Sequence, residues 1–289
     1  MPAAKLTHLL SLILIIGCSG NPFGETEIAP PDRVLRGRVQ LAERTHADGV
    51  YVWLQGFNLS TWSDPTGRFE LMLPPEQAGG GSVSGVVKLY YYMANYDVTT
   101  TDILIRNGAL LQPQPSLDAE GSLLHTVMLR QKLKIETDIQ PNSLSNSHIK
   151  VTRGKTNFLL KVKVSIQAPR DPVVVFFPRA VKSLVAPIIF KNIRTGQSKI
   201  ISSTIAGISD ADISTVNRQP HIRTFAVPMF PQDLDVGDYE IIPYLFIEDP
   251  EIPEQLLASL GHDVMDLGDG YLKLPFVRQG TDRILHVKP

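Results

Sequence analysis

The sequence predicts an all-β chain of two β-sandwich domains with one short helix. Three observations lead there. Apolar and polar residues alternate with period two over several short runs, as strands with one face in a core require. Glycine (21) and proline (22) punctuate these runs, a density that suits many turns better than a helical bundle. Hydrophobic residues make up 43% of 289 positions and charged ones 20%, enough apolar surface for packed cores and too much for a disordered chain. The length itself fits about two domains.

Residues 1–17 read MPAAKLTHLLSLILIIG. Lys5 provides a short positive region, and Leu9 to Ile16 are apolar except for Ser11. A bilayer core of about 30 Å needs roughly 20 apolar residues, so this run is too short to span one and fits an export signal. It ends in Ile15-Ile16-Gly17-Cys18, which resembles the lipobox of bacterial lipoproteins, and Cys18 is the sole cysteine of the chain. The resemblance implies a diacylglycerol group on the Cys18 sulfur, cleavage between Gly17 and Cys18, and acylation, typically by palmitate, of the new amino group. Two or more acyl chains anchor stably where one is marginal, each buried CH₂ contributing about 0.8 kcal/mol. Ser19 stands where an aspartate would favour the inner membrane, so the resemblance points to the outer membrane of the cell envelope. Residues 18–32 are rich in Gly, Pro and polar types and read as a lipidated flexible tether.

The first sandwich is expected over 33–132. Leu35, Val39 and Leu41 alternate with Arg36, Arg38 and Gln40; Val50, Val52 and Leu54 form a second face opposite Tyr51 and Trp53; Phe69, Leu71 and Leu73 form a third. Asp64-Pro65-Thr66-Gly67 is a turn in which proline presets φ and glycine accepts a left-handed backbone. Leu123, His125, Val127 and Leu129 suggest a later strand, with His125 on its apolar side. Gly37-Arg38-Val39, then Val50 to Leu54, then Ser63-Asp64-Pro65-Thr66-Gly67-Arg68-Phe69 ending at Pro74 resembles the carboxypeptidase regulatory-like domain, a transthyretin-like β-sandwich. That resemblance implies the fold and not the peptidase of its usual neighbour. A zinc carboxypeptidase needs His-x-x-Glu, and none of the seven histidines has glutamate three residues on.

The second sandwich is expected over 133–289, after a boundary near 132–140. Phe158, Leu160, Val162, Val164 and Ile166 alternate with Lys161, Lys163 and Ser165, and the unbroken apolar run Val173–Phe177 reads as a strand covered on both faces. Val236 to Ile241 resembles the turn-then-strand of immunoglobulin-like sandwiches. Pro253, the Leu256-Leu257-Leu260 face and Gly261 mark a helix with its start and stop. Tyr271–Phe276 reads as one more strand.

Candidate chemistry is sparse. The balance of 28 Lys and Arg against 29 Asp and Glu leaves −1, which gives no electrostatic case for nucleic acid. Asp263, Asp266 and Asp269, and again Asp233, Asp235 and Asp238, offer carboxylates for calcium, but their spacing fits solvated loops and no metal site is assigned. Tyr90, Tyr91, Tyr92 and Tyr96, with Trp53 and Trp62, could stack on sugars, yet Tyr91 points away from Tyr90 and Tyr92 on a strand, and aromatics favour strands for packing alone. A Gly-x-Ser-x-Gly elbow, a His-Glu-x-x-His helix and a phosphate loop are absent from the sequence. Ser82 to Gly85 follow a glycine run but lack the lysine of a phosphate loop. The expectation is a lipid-anchored envelope protein acting as a non-catalytic structural or protein-interaction module, without a cofactor, whose partner is an envelope protein or a glycan. The alternatives are a glycan- or ligand-binding lipoprotein serving uptake and, behind it, a cryptic hydrolase.

Overall fold

The computed structural model describes residues 33–75, 83–140, 149–152, 158–180, 188–201, 208–229, 233–266, 268–279 and 284–288. Gly17 and Cys18, the whole export signal, the tether to residue 32 and Ser82 lie outside them. The N-terminal strands are β1 (Val34–Leu41), β2 (Tyr51–Leu54), β3 (Leu59–Trp62), β4 (Arg68–Met72), β5 (Gly85–Tyr92), β6 (Thr99–Arg106), β7 (Ala109–Leu110) and β8 (Val127–Leu129). They form one sheet in the order β4-β1-β8 and a second in the order β3-β2-β5-β6-β7. The C-terminal strands are β9 (Lys134–Gln140), β10 (Ile149–Thr152), β11 (Phe158–Gln167), β12 (Val173–Ala180), β13 (Ile188–Asn192), β14 (Ser198–Ile201), β15 (Ile208–Val216), β16 (His221–Met229), β17 (Gly237–Pro243), β18 (Phe246–Ile247) and β19 (Ile284–Lys288). Their sheets run β10-β19-β17-β13-β14, β16-β11-β9 and β15-β12-β18. Among the described residues one α-helix, α1 (Glu254–Leu260), lies between β18 and β19, with Pro253 before it and Gly261 after it. The all-β, sandwich-built architecture is as the sequence predicts.

Alternating side chains explain the layers. From β1, Leu35, Val39 and Leu41 pack with Val52 and Leu54 of β2, Phe69 and Leu71 of β4, and Leu89 and Tyr91 of β5. The paired motifs at the two ends of this unit meet directly, since Gly37 stands opposite Phe69 in the β1–β4 register. A Cβ on Gly37 would lie 2.5 Å from the Phe69 ring, so glycine there makes room for the aromatic. The turn between β3 and β4 is equally determined. The Asp64 carboxylate accepts hydrogen bonds from the Thr66 hydroxyl (2.8 Å), the Thr66 N–H (2.8 Å) and the Arg68 N–H (3.0 Å). These bonds, that from the Thr66 hydroxyl foremost, hold its pKa below the ordinary aspartate value. Gly67 has φ +81° and its carbonyl accepts from the Val39 N–H at 2.8 Å.

The C-terminal core gathers Leu160, Val162, Val164 and Ile166 of β11 with Val173, Val175 and Phe177 of β12 and Ile241 of β17. Three sequence expectations are corrected. Val173–Phe177 is not covered on both faces: Val174 and Phe176 are half-buried on the outer side, because β-branched and aromatic residues suit an open strand face as well as a core. His125 is exposed in a bend, since the strand near it begins only at Val127. Residues 269–273 form a 3-10 turn instead of a strand. At the start of β17 the Tyr239 hydroxyl donates to the Asp235 carbonyl at 3.1 Å, the reach-back of a tyrosine corner in immunoglobulin-like sandwiches.

Candidate functional site: the aromatic seam and its two clefts

A third cluster of buried side chains lies between the N-terminal and C-terminal sheets. Tyr51 and Trp53 of β2 and Tyr90 and Tyr92 of β5 face away from the first core and join Ile189, Ile242, Tyr244, Leu256 and Tyr271. Strand parity builds this. Successive side chains point to opposite faces, so even positions of β2 serve one core and odd positions the other. All four β2 residues are therefore buried. The same holds at β13, where Ile188 and Phe190 enter the C-terminal core while Ile189 enters the seam.

Buried aromatics bring polar ends that need partners. The Ser259 hydroxyl donates to Leu256 O (2.6 Å) and so accepts from the Tyr51 hydroxyl at 2.8 Å. The Tyr244 hydroxyl donates to Met265 O at 2.7 Å. Tyr271 is wholly buried; its hydroxyl donates to Leu245 O (2.8 Å) and accepts from Leu245 N–H (3.2 Å). The Tyr244 and Tyr271 rings meet edge-on at 4.6 Å. Burial pushes the phenols of Tyr92, Tyr244 and Tyr271 up from their ordinary value.

Asn95, fully buried, pins the seam. Its Nδ2 donates to Leu133 O (3.0 Å) and Val277 O (2.9 Å), and its Oδ1 accepts from Val277 N–H (2.9 Å). Its own carbonyl accepts from the N–H groups of Lys132 and Leu133. One amide thus ties the β5–β6 connection to the chain leaving the first sandwich and to the segment returning from the second. Two ion pairs flank it. Arg170 pairs with Asp97, and Lys132 with the almost fully buried Asp249 at 2.9 Å. They line a cleft of about 400 Å³, where Asp97 and Asp249 already hold cations.

A second cleft, about 390 Å³, opens elsewhere along the seam. Met93, Leu274 and Val277 are buried in its lining, Trp62 forms one wall, and Arg44, His46 and Asp48 stand at its edge. Trp62 packs against Tyr51 with ring centroids 4.8 Å apart and remains 46% exposed. Sequence reasoning did not assemble this cleft, because its parts come from residues 41–49, 62, 93, 240 and 272–278.

The other candidates are dispersed. Tyr90, Tyr91, Tyr92, Tyr96 and Trp53 are all buried, which removes the sugar platform they could have formed and leaves Trp62. Asp263 is ion-paired with Lys273 at 2.8 Å, Asp269 accepts from the Ser198 hydroxyl, and Asp238 meets His286 at 2.6 Å. Among the described residues no group of three or more His, Cys, Asp or Glu side chains converges as a metal would need. No described helix is long and apolar enough to cross a membrane.

No family model and no curated protein matches the chain. Solved structures give distant likenesses. BcpA, the major pilin subunit of Bacillus cereus, aligns at 10% identity and a TM-score of 0.26, covering 75% of this chain and 66% of the pilin. The Bacillus anthracis TIE protein aligns at 10% identity and a TM-score of 0.23, covering 89% of this chain and 34% of that one. CBD12 from CALX1.2 aligns at 10% identity and 0.19, covering 89% and 99%. The chain thus spans less than two thirds of the first two. These likenesses carry no functional inference, and the sandwich assignment rests on the sheets described above.

Proposed function

We propose that the chain is a lipid-anchored lipoprotein of the bacterial cell envelope, held at the outer membrane and acting as a non-catalytic structural or protein-interaction module. In this reading residues 33–132 and 133–289 are its two sandwiches, the first of carboxypeptidase regulatory-like type and the second immunoglobulin-like. The observation that carries the non-catalytic role is the seam. Its aromatic, amide and charged groups, among them Tyr244, Tyr271, Asn95, Lys132 and Asp249, are engaged in fastening one sandwich to the other, as a rigid spacer or scaffold requires. The anchor rests on Ile15-Ile16-Gly17-Cys18 at the end of a short apolar run, with residues 19–32 as a tether between lipid and fold.

The test is metabolic labelling with an alkyne fatty acid, followed by mass spectrometry of the mature amino terminus. An acylated Cys18 at the first position is expected, and Cys18→Ser should lose the label and leave the membrane fraction or accumulate uncleaved. A free Cys18, or cleavage at another residue, would overturn the anchor.

A further inference from the structure

We propose that the cleft beside Trp62 is a binding site for a neutral saccharide. This names a partner class for the envelope module and goes beyond its structural role. It rests on that reading only for its setting, since the site itself is independent of the lipid.

The first support is the state of the edge residues. Arg44, His46 and Asp48 lie within five positions and line the cleft. Nothing else described in the fold hydrogen-bonds or ion-pairs with these three side chains, whereas Lys273 on the opposite side is held by Asp263 at 2.8 Å. Arginine only donates, aspartate only accepts, and imidazole does both. A ligand satisfying all three must offer donors and acceptors close together, as vicinal hydroxyls do. The other charged side chains of the lining are Glu240, Arg278 and the Lys273 held by Asp263, so positive and negative groups balance and the cleft confers no preference for an ionic ligand.

The second support is Trp62. It lies on the edge strand β3 of its sheet, steadied by Tyr51 and with nearly half its surface open. An indole face is negative at its centre, which suits the weakly positive C–H bonds on one side of a pyranose. Open aromatic surface beside uncommitted polar groups over an apolar floor is the composition of a small-ligand site, and about 390 Å³ lies within the usual size of ~300–1,000 Å³.

The chain carries its own reporter, because it has two tryptophans and Trp53 is 2% exposed. Emission from the full-length protein, kept in a detergent without sugar head groups, is titrated with chitotetraose, cellotetraose, tetragalacturonate and tetra-alanine. A saturable blue shift with one of the two neutral saccharides is expected. Trp62→Ala should abolish the shift. Because that change also removes a packing contact of Tyr51, Arg44→Ala and Asp48→Ala serve as second variants, read by calorimetry. Each should weaken binding about three- to tenfold with the melting temperature unchanged. No saturable response to either neutral saccharide at about 10 mM, a response surviving in Trp62→Ala, or tighter binding of the tetragalacturonate or the peptide would overturn the proposal. The protein's lipidation state affects none of these readings, so failure here and failure of the anchor are separable.

Discussion

Replacing Asn95 by alanine should be among the most damaging single changes available to this protein. The side chain is completely buried and makes three hydrogen bonds of 2.9–3.0 Å, all to backbone groups of Leu133 and Val277. Truncation removes all three partners at once. Leaving a buried backbone group unpaired costs about 1–3 kcal/mol, and a water entering the vacated space can satisfy part of the set. A net loss of about 3–5 kcal/mol follows, a large fraction of the ~5–15 kcal/mol that holds a typical protein together. Urea unfolding followed by far-ultraviolet circular dichroism measures it, as a fall in midpoint with a preserved slope. Asn95→Asp sharpens the test. A carboxylate keeps the acceptor for Val277 N–H but faces two carbonyls with no proton to donate, so its folded pKa is raised. Its stability should recover below about pH 4, where the unfolded carboxyl is protonated, and be lost as pH rises through the folded pKa. A loss under ~1 kcal/mol for Asn95→Ala would refute the view that this amide fastens the seam.

Gly67→Ala should destabilise by at least about 1–3 kcal/mol in the same assay, because φ is +81° and the new Cβ would lie 2.0 Å from the Val39 carbonyl oxygen; an unchanged midpoint would show that the turn has another geometry. Tyr91, Tyr92, Tyr96, Tyr244 and Tyr271 have phenol pKa values raised by burial, so the stability they contribute is full below about pH 10 and lost as pH rises beyond it. Phenolate absorbance at 295 nm should report these tyrosines ionising together with unfolding, and their free titration in a protein still folded by circular dichroism would contradict their burial.

What the sequence shows and hides here follows from the two faces of a strand. Where only one face is buried, as in β1, β4 and β11, the period-two pattern is complete in the residues themselves, and Leu35, Phe69 and Val164 can be placed in a core by inspection. Where both faces are buried the pattern vanishes. Tyr51-Val52-Trp53-Leu54 and Leu89-Tyr90-Tyr91-Tyr92 are unbroken apolar runs, and so is Val173–Phe177, yet only the first two are covered on both sides. Nothing local separates them, because the covering element lies far along the chain. Tyr51 and Tyr90 are buried in one cluster with Tyr244, Leu256 and Tyr271. The one local hint is Asn95, an amide in the turn after β5 whose neighbours Tyr92, Met93, Ala94 and Tyr96 are all buried, so that the turn lies inside the protein and not on its surface. A lone amide in an apolar stretch implies backbone groups that need it. The cleft beside Trp62 shares this dependence. Arg44 and Asp48 come from the loop after β1 and Leu274 and Val277 from the segment after α1, so the site exists only while these distant parts of the chain are held together. Val277, bonded to Asn95 through its N–H and carbonyl and packed into the first core, is the residue at which fastening and cleft coincide.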